Sequence, residues 1–134
     1  MSIELFGGVK IRVKINGILS NTTNQENELV ECTGIKQKNK IIYKHENVKH
    51  SLIINENNIE LIRENDIFKN ILSFQLNKET NNEYYIKDNN LSVYINIITN
   101  EINIYENEII IKYKVLDSDT EYIYKIEVSD IIWV

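Results

Sequence analysis

Residues 109–128 read IIIKYKVLDSDTEYIYKIEV, and their residue pattern decides the fold. Apolar side chains alternate with polar or outward-facing ones, first at Ile109, Ile111, Tyr113 and Val115. After the polar segment Asp-Ser-Asp (117–119), the alternation resumes at Tyr122, Tyr124, Ile126 and Val128. Because successive side chains of a strand point to opposite faces, this pattern predicts two half-buried strands joined by a turn.

The same alternation extends along most of the remaining chain. Further strands are predicted at residues 9–15 (ended by Gly17), 28–36, 41–45, 48–55, 59–63, 83–87, 91–97 and 101–105. Residues 64–72, ENDIFKNIL, have helical spacing, which leaves open a short helix or a loop leading into a strand at 71–76. Residues 77–82 are predicted to form a loop. No crossover helix fits between the strands, so neighbouring strands are expected to be antiparallel.

So many short strands predict a closed sheet. An open sheet of ten or so strands would leave its edges exposed to other chains, whereas a barrel has no edge. We therefore expect an all-β, mostly antiparallel, up-and-down barrel of about 8–11 strands, with residues 1–134 as one domain. A barrel of this size encloses a space that side chains fill or that a small ligand occupies.

Composition narrows the class of protein. A hydrophobic content of 43% supplies a core, and Cys32, the single cysteine, allows no internal disulfide. A net charge of −5 argues against binding to nucleic acid. No apolar run is long enough to span a membrane and no secretory signal is visible, so we expect a cytoplasmic protein. Asparagine is abundant, which we interpret as compositional bias.

Several segments resemble the small bacterial YwiB-like family. They are Thr33-Gly34, the polar turn at 36–40 with IIYKHE (41–46) after it, IELIREN (59–65), and residues 91–113. The resemblance covers about residues 9–128 and implies a calycin-like (lipocalin-like) β-barrel, bacterial and cytoplasmic, with no assigned activity. It implies no catalytic residue and no cofactor. The chain departs from the family at Asn65, where a glycine is usual, and at 86–90, where the family has a Thr-Pro-Tyr-Gly-like turn.

Side chains predicted to point into the barrel are the candidate ligand-binding residues. They are Tyr43, Arg63, Tyr84, Tyr113 and Tyr124. An inward tyrosine hydroxyl needs a partner, which is a ligand in a hollow barrel, or another hydroxyl, water or backbone in a filled one. An inward arginine must also be paired. Arg63 is therefore expected either to form an ion pair with an inward glutamate or to anchor a ligand carboxylate.

Two other groups are predicted to have no chemical role. His45, Glu46 and His50 lack the spacing of the helical zinc motif, and although the two histidines could approach across a hairpin, a stable site needs three or four ligands. We therefore predict a solvated turn and no metal. Cys32, in phase with Val30, is predicted to be a buried small apolar residue and not a reactive thiolate.

The basic residues and the C-terminal tail are the parts of the sequence that could contact another macromolecule. Lys10, Arg12 and Lys14, and also Lys112 and Lys114, are predicted to lie on the outer barrel face. The tail at 131–134, IIWV, is either a final strand or a subunit interface centred on Trp133.

The function predicted is binding of a small molecule without catalysis, with no nucleic acid, membrane or cofactor as partner. A structural or protein-interaction module using the tail, including a homodimer, is the alternative.

Overall fold

The computed structural model describes residues 10–131, which form ten β-strands and no helix. The strands are β1 (Ile11–Asn21), β2 (Glu26–Gln37), β3 (Lys40–His45), β4 (Val48–Ile54), β5 (Ile59–Glu64), β6 (Phe68–Phe74), β7 (Glu79–Ile86), β8 (Leu91–Ile104), β9 (Glu108–Val115) and β10 (Thr120–Asp130). Each strand pairs antiparallel with its neighbours in the chain, and β1 pairs with β10 to close the barrel. An all-β, closed, antiparallel barrel is thus confirmed. Within residues 10–131 there is no helix long and apolar enough to cross a membrane.

The hairpin at 109–128 has the predicted form. Tyr124 lies opposite Ile111, and Ile126 lies opposite Ile109, so the buried faces of β9 and β10 coincide. All four side chains are at most 6% exposed. The period of two therefore places one face of each strand inside the barrel.

Two boundaries near the start and middle of the chain differ from the prediction. Gly17 does not end β1, because the strand continues to Asn21 and Gly17 pairs with both Val30 and Ile126. Residues 64–72 form a turn followed by β6, so they are not a helix. The side chain of Asn65 makes the turn, since its Oδ1 accepts hydrogen bonds from the N–H groups of residues 67 and 68.

The region from 77 to 105 contains more strand than predicted. The predicted loop at 77–82 includes the start of β7 at Glu79. The predicted strands at 91–97 and 101–105 are one strand, β8, with a bulge between Thr99 and Glu101. A bulge inserts an extra residue without ending the strand. The break in alternation that it causes looks like a turn in the sequence.

One half of the barrel interior, here called the filled half, is packed with aliphatic side chains at most 2% exposed. They are Val13, Ile15, Leu52, Ile59, Ile97, Ile111 and Ile126. Burying one such side chain contributes about 1.5–3 kcal/mol to folding. These residues form one continuous core cluster with the tyrosines described below.

Two neighbouring strand pairs are joined by short ladders. The β2–β3 ladder has four residue pairs, from Gly34 to Gln37, so the stretch of β2 before Gly34 has β1 as its ladder partner. The β6–β7 ladder has three pairs, and there the buried side chain of Asn82 bridges the strands. Its Oδ1 accepts a hydrogen bond from the Ser73 N–H at 2.7 Å. The incomplete β2–β3 ladder is called the β2–β3 seam below.

Candidate ligand cavity

Five inward side chains form a continuous row across strands β3 to β7. The ladders place Tyr43 opposite His50, His50 opposite Arg63, Arg63 opposite Asn70, and Asn70 opposite Tyr84. Directly opposed residues of antiparallel strands have Cβ atoms about 4.5–5.5 Å apart. The strand register alone therefore brings these polar and aromatic groups together, and we call them the inner belt.

A cavity of about 140 Å³ lies against the inner belt. Its apolar lining includes Leu61, Phe68, Leu72 and Phe74. Its polar lining includes Tyr43, His50, Arg63, Tyr113 and Tyr124. Exposed Glu28 and Glu46, with the partly buried His45, lie on its solvent side and form what we call the mouth. Four of the predicted residues, Tyr43, Arg63, Tyr113 and Tyr124, thus line one cavity that is partly open to solvent.

Arg63 points inward as its phase with Leu61 predicts, but its partner is an amide and not a glutamate. Its Nε and Nη2 donate hydrogen bonds to Asn70 Oδ1 at 3.2 and 2.6 Å. The Asn70 side chain is held in place by its Nδ2, which donates to the Glu83 carbonyl at 3.1 Å.

The positive charge of Arg63 therefore has no anionic partner in the described part of the chain. No carboxylate of residues 10–131 forms an ion pair with the guanidinium, and none of those residues accepts a hydrogen bond from Nη1. A carboxylate binds most strongly to two adjacent N–H donors, and the Nη1 edge of the guanidinium is the group in this cavity best suited to offer them.

Two tyrosines that line the cavity are joined by a hydrogen bond between their hydroxyls. The hydroxyls of Tyr43 and Tyr124 are 2.8 Å apart and share one hydrogen bond. Burial raises the pKa of both, and it raises the pKa of Tyr113 to about 12. All three phenols are therefore neutral hydroxyl donors at neutral pH. In the pair, the hydroxyl that accepts keeps its own hydrogen for a further acceptor.

His50 is a second polar group of the inner belt with an unused atom. Its ring stacks on Tyr43, with centroids 4.6 Å apart and an interplanar angle of 5°. Burial, with smaller contributions from the charges of Arg63 and His45, lowers its pKa to about 4. The neutral ring has a buried Nδ1 that makes no hydrogen bond to any residue from 10 to 131.

Two predicted site residues are placed differently from the rest. Tyr84 belongs to the inner belt but does not line the cavity, because it stacks on Phe68 with centroids 5.1 Å apart. Trp133, the predicted interface residue, lies outside the described residues.

The mouth contains the closest group of possible metal ligands. His45 lies opposite Val48 and His50 opposite Tyr43, so the ladder does not pair the two histidines directly. Instead, His45 Nε2 lies 4.0 Å from Glu28 Oε1 and 3.8 Å from Glu46 Oε1. Glu46 is held there by a two-residue turn in which both central residues have positive φ, 50° and 64°.

Other candidate groups lie outside the cavity lining. Burial raises the pKa of the Cys32 thiol, and the side chain packs partly buried against the core. On the outer face, Lys112 is paired with Glu101 at 3.2 Å and Lys114 with Asp119 at 2.5 Å.

Asn70, Phe68 and the unused His50 nitrogen are parts of the site that were not predicted from the sequence. Asn70 and Asn82 are 1% and 2% exposed and fully engaged, so at these positions asparagine is structural and not compositional bias. Even spacing of residues 70, 72 and 74 was the available signal, because it puts Asn70 in phase with two core residues.

The barrel is similar to a solved structure, the crystal structure of the ywiB protein from Bacillus subtilis. The TM-score is 0.70 over 98% of this chain and 100% of that chain, with 16% sequence identity. At that identity the similarity establishes the fold alone. No protein-family model matches the chain. No curated protein matches it either.

Proposed function

We propose that this protein binds a small carboxylate inside its barrel and does so without catalysing a reaction. The single observation that carries the proposal is Arg63, a cation in the cavity wall whose protein partner is the neutral amide of Asn70. A partly buried charge without a counter-charge is unfavourable, and a carboxylate in the cavity would compensate for it. His50 Nδ1 is a further group beside Arg63 that a ligand oxygen could satisfy.

The cavity volume limits the ligand to a very small molecule. Sites for drug-sized ligands measure roughly 300–1,000 Å³, whereas this cavity measures about 140 Å³. A cavity of about 150 Å³ is known to hold benzene. Apolar walls from Leu61, Phe68, Leu72 and Phe74 favour a compact apolar body. The ligand class is therefore a monocarboxylate of roughly ten non-hydrogen atoms or fewer.

The titration states of the lining support binding in preference to catalysis. Tyr43, Tyr113 and Tyr124 are protonated, and His50 has a pKa of about 4, far below the value suited to a general base at neutral pH.

We also propose that the barrel is calycin-like and related to the YwiB-like bacterial proteins, and that it works in the cytoplasm. The shared topology with the Bacillus subtilis ywiB protein and the single cysteine support this.

Calorimetric titration of the full, EDTA-treated and dialysed chain with benzoate tests the proposal, with benzamide as the neutral probe of the same shape. Benzoate should bind more tightly than benzamide. Arg63→Gln should weaken benzoate binding by about tenfold or more, because a hydrogen bond to a charged group is worth about 1.5–3 kcal/mol. Arg12→Gln is the matched control, since Arg12 is exposed on the outer face of β1, and it should leave the affinity unchanged.

Two results would overturn the proposal. One is equal affinity for benzoate and benzamide, or no binding of either. The other is full retention of benzoate binding by Arg63→Gln.

A further inference from the structure

We propose that Glu28, His45 and Glu46, at the mouth of the cavity, bind a divalent metal ion of the zinc class. The three side chains come from β2, from the end of β3 and from the turn before β4. One ligand atom from each lies within 4.8 Å of the others. This site is separate from the Arg63 cation and does not depend on a carboxylate ligand.

The distances between these atoms are too long for hydrogen bonds and somewhat longer than those around a shared ion. His45 Nε2 is 4.0 Å from one carboxylate oxygen and 3.8 Å from the other. Around tetrahedral zinc, with bonds of about 2.0–2.1 Å, neighbouring ligand atoms are about 3.3 Å apart. The glutamate side chains are 55% and 76% exposed, so small rotamer adjustments can close that difference.

The His45 ring supplies an independent indication of a ligand. Its Nε2 is shut off from solvent and makes no hydrogen bond to any residue between 10 and 131. The ring is 81% buried, since its side chain is 19% exposed. A buried polar atom without a partner destabilises the native state, and coordination of an ion by this nitrogen would remove that penalty.

The donor set selects among metals. An imidazole nitrogen with two carboxylates suits zinc and its first-row neighbours, whereas magnesium and calcium prefer oxygen ligands alone. Three protein ligands leave a coordination position free for water. Cys32 is not among the grouped ligands, so the ion would have no sulfur ligand.

An ion at this position would link β2 to the β3–β4 hairpin. Glu28 lies in the part of β2 beyond the short β2–β3 ladder, while His45 and Glu46 belong to the β3–β4 hairpin. A bound ion would therefore join the two sides of the β2–β3 seam where no ladder pair does. We expect zinc to raise the unfolding temperature of the chain, because a ligand that binds only the native state stabilises it.

The test is a calorimetric titration of the full, untagged chain with Zn²⁺ after EDTA treatment and dialysis, in buffer free of carboxylates. One ion per chain should bind. Glu28→Gln and Glu46→Gln should each weaken binding by about tenfold or more, and His45→Gln should abolish the one-to-one site. Both glutamates are exposed, so their variants should fold even if the His45 variant does not.

Matched controls separate this site from its rivals. Glu31→Gln changes an exposed glutamate on the outer face of β2, and His50→Gln changes the other histidine; both should retain zinc affinity within about twofold. X-ray absorption of the zinc-loaded chain should show nitrogen and oxygen ligands at about 2.0–2.1 Å and no sulfur. Mg²⁺ at the same concentration should not compete.

Three outcomes would overturn the proposal. The first is the absence of one-to-one zinc binding. The second is an equal loss of affinity in Glu28→Gln and Glu31→Gln, which would mean diffuse surface binding. The third is a loss in His50→Gln with none in Glu28→Gln, which would place the ion between the histidines. None of these outcomes bears on benzoate binding, which is measured on the metal-free chain.

Discussion

The two halves of the barrel interior use the same strands for different purposes. Along β3 to β5, Leu52 and Ile59 belong to the filled half, and Ile41 packs in the same core cluster. Two to four residues further along each strand, on the same face, Tyr43, His50 and Arg63 line the cavity. The first half has aliphatic side chains that are almost completely buried, and the second has large polar groups beside a cavity of about 140 Å³. Close packing and open volume are thus divided between the two halves.

The largest expected difference between the halves is the cost of removing a leucine. Leu52 is fully buried in the filled half, whereas Leu72 borders the cavity. Leu52→Ala should lower the free energy of unfolding by about 3–5 kcal/mol, and Leu72→Ala by about 2 kcal/mol, because one side of Leu72 already lacks packing partners. Urea unfolding measures both. Equal losses would mean that the cavity is collapsed in solution.

Two glycines sharpen the comparison at the boundary between the halves. A Cβ on Gly34 would lie 2.4 Å from Ile15 Cδ1 and 2.6 Å from the Ile42 carbonyl oxygen, and 3.1 Å from the Tyr43 Cβ. Gly34→Ala should therefore cost about 1–3 kcal/mol of unfolding free energy. A Cβ on Gly17 would meet its nearest atoms at 3.5 Å. Gly17→Ala, the control, should be neutral or stabilising by up to about 1 kcal/mol. A harmless Gly34→Ala would refute this packing.

The half of the interior that lines the cavity should make the free energy of unfolding depend on pH, through His50. Its pKa is lowered from 6.5 to about 4, with Arg63 and His45 as the charged or titratable neighbours and Tyr43 stacked on the ring. The unfolded chain thus binds the proton first, and stability falls as pH falls from 6.5 towards 4.

Solvent screening reduces the size of this effect, so we expect a loss of about 1–2 kcal/mol. Urea unfolding at several pH values measures it, with His50→Gln as the comparison. The variant should lose that part of the pH dependence, and an unchanged profile would contradict the assignment.

The smallest expected effect concerns the tyrosine pair. Tyr43→Phe or Tyr124→Phe removes one hydroxyl and leaves the other without its partner at 2.8 Å. Each variant should lose about 1 kcal/mol, and the double variant should lose less than the sum. A double-mutant cycle in urea measures the coupling. Strict additivity would show that the hydroxyls do not bond to each other in solution.

Alternation of side chains was sufficient to predict the barrel, but not the details of the site. It placed Arg63, Tyr43, Tyr113 and Tyr124 inside, because a period of two is a local property of each strand. It could not supply the register that joins residues of β3 to β7 into the inner belt, since register depends on turns and bulges such as the one at Thr99. For the same reason it left a glutamate or a ligand carboxylate open as the partner of Arg63 and did not identify Asn70, which accepts its hydrogen bonds in the structure.

Nuclear magnetic resonance of the arginine side chains tests the central claim most directly. The chain has two arginines, Arg12 outside the barrel and Arg63 in the cavity wall, so a ¹⁵N-labelled sample gives two Nε signals. Added benzoate should shift the Arg63 signal in a saturable manner and leave the Arg12 signal in place. Equal, unsaturable shifts of both signals, or no shift of either, would contradict a carboxylate site inside the barrel.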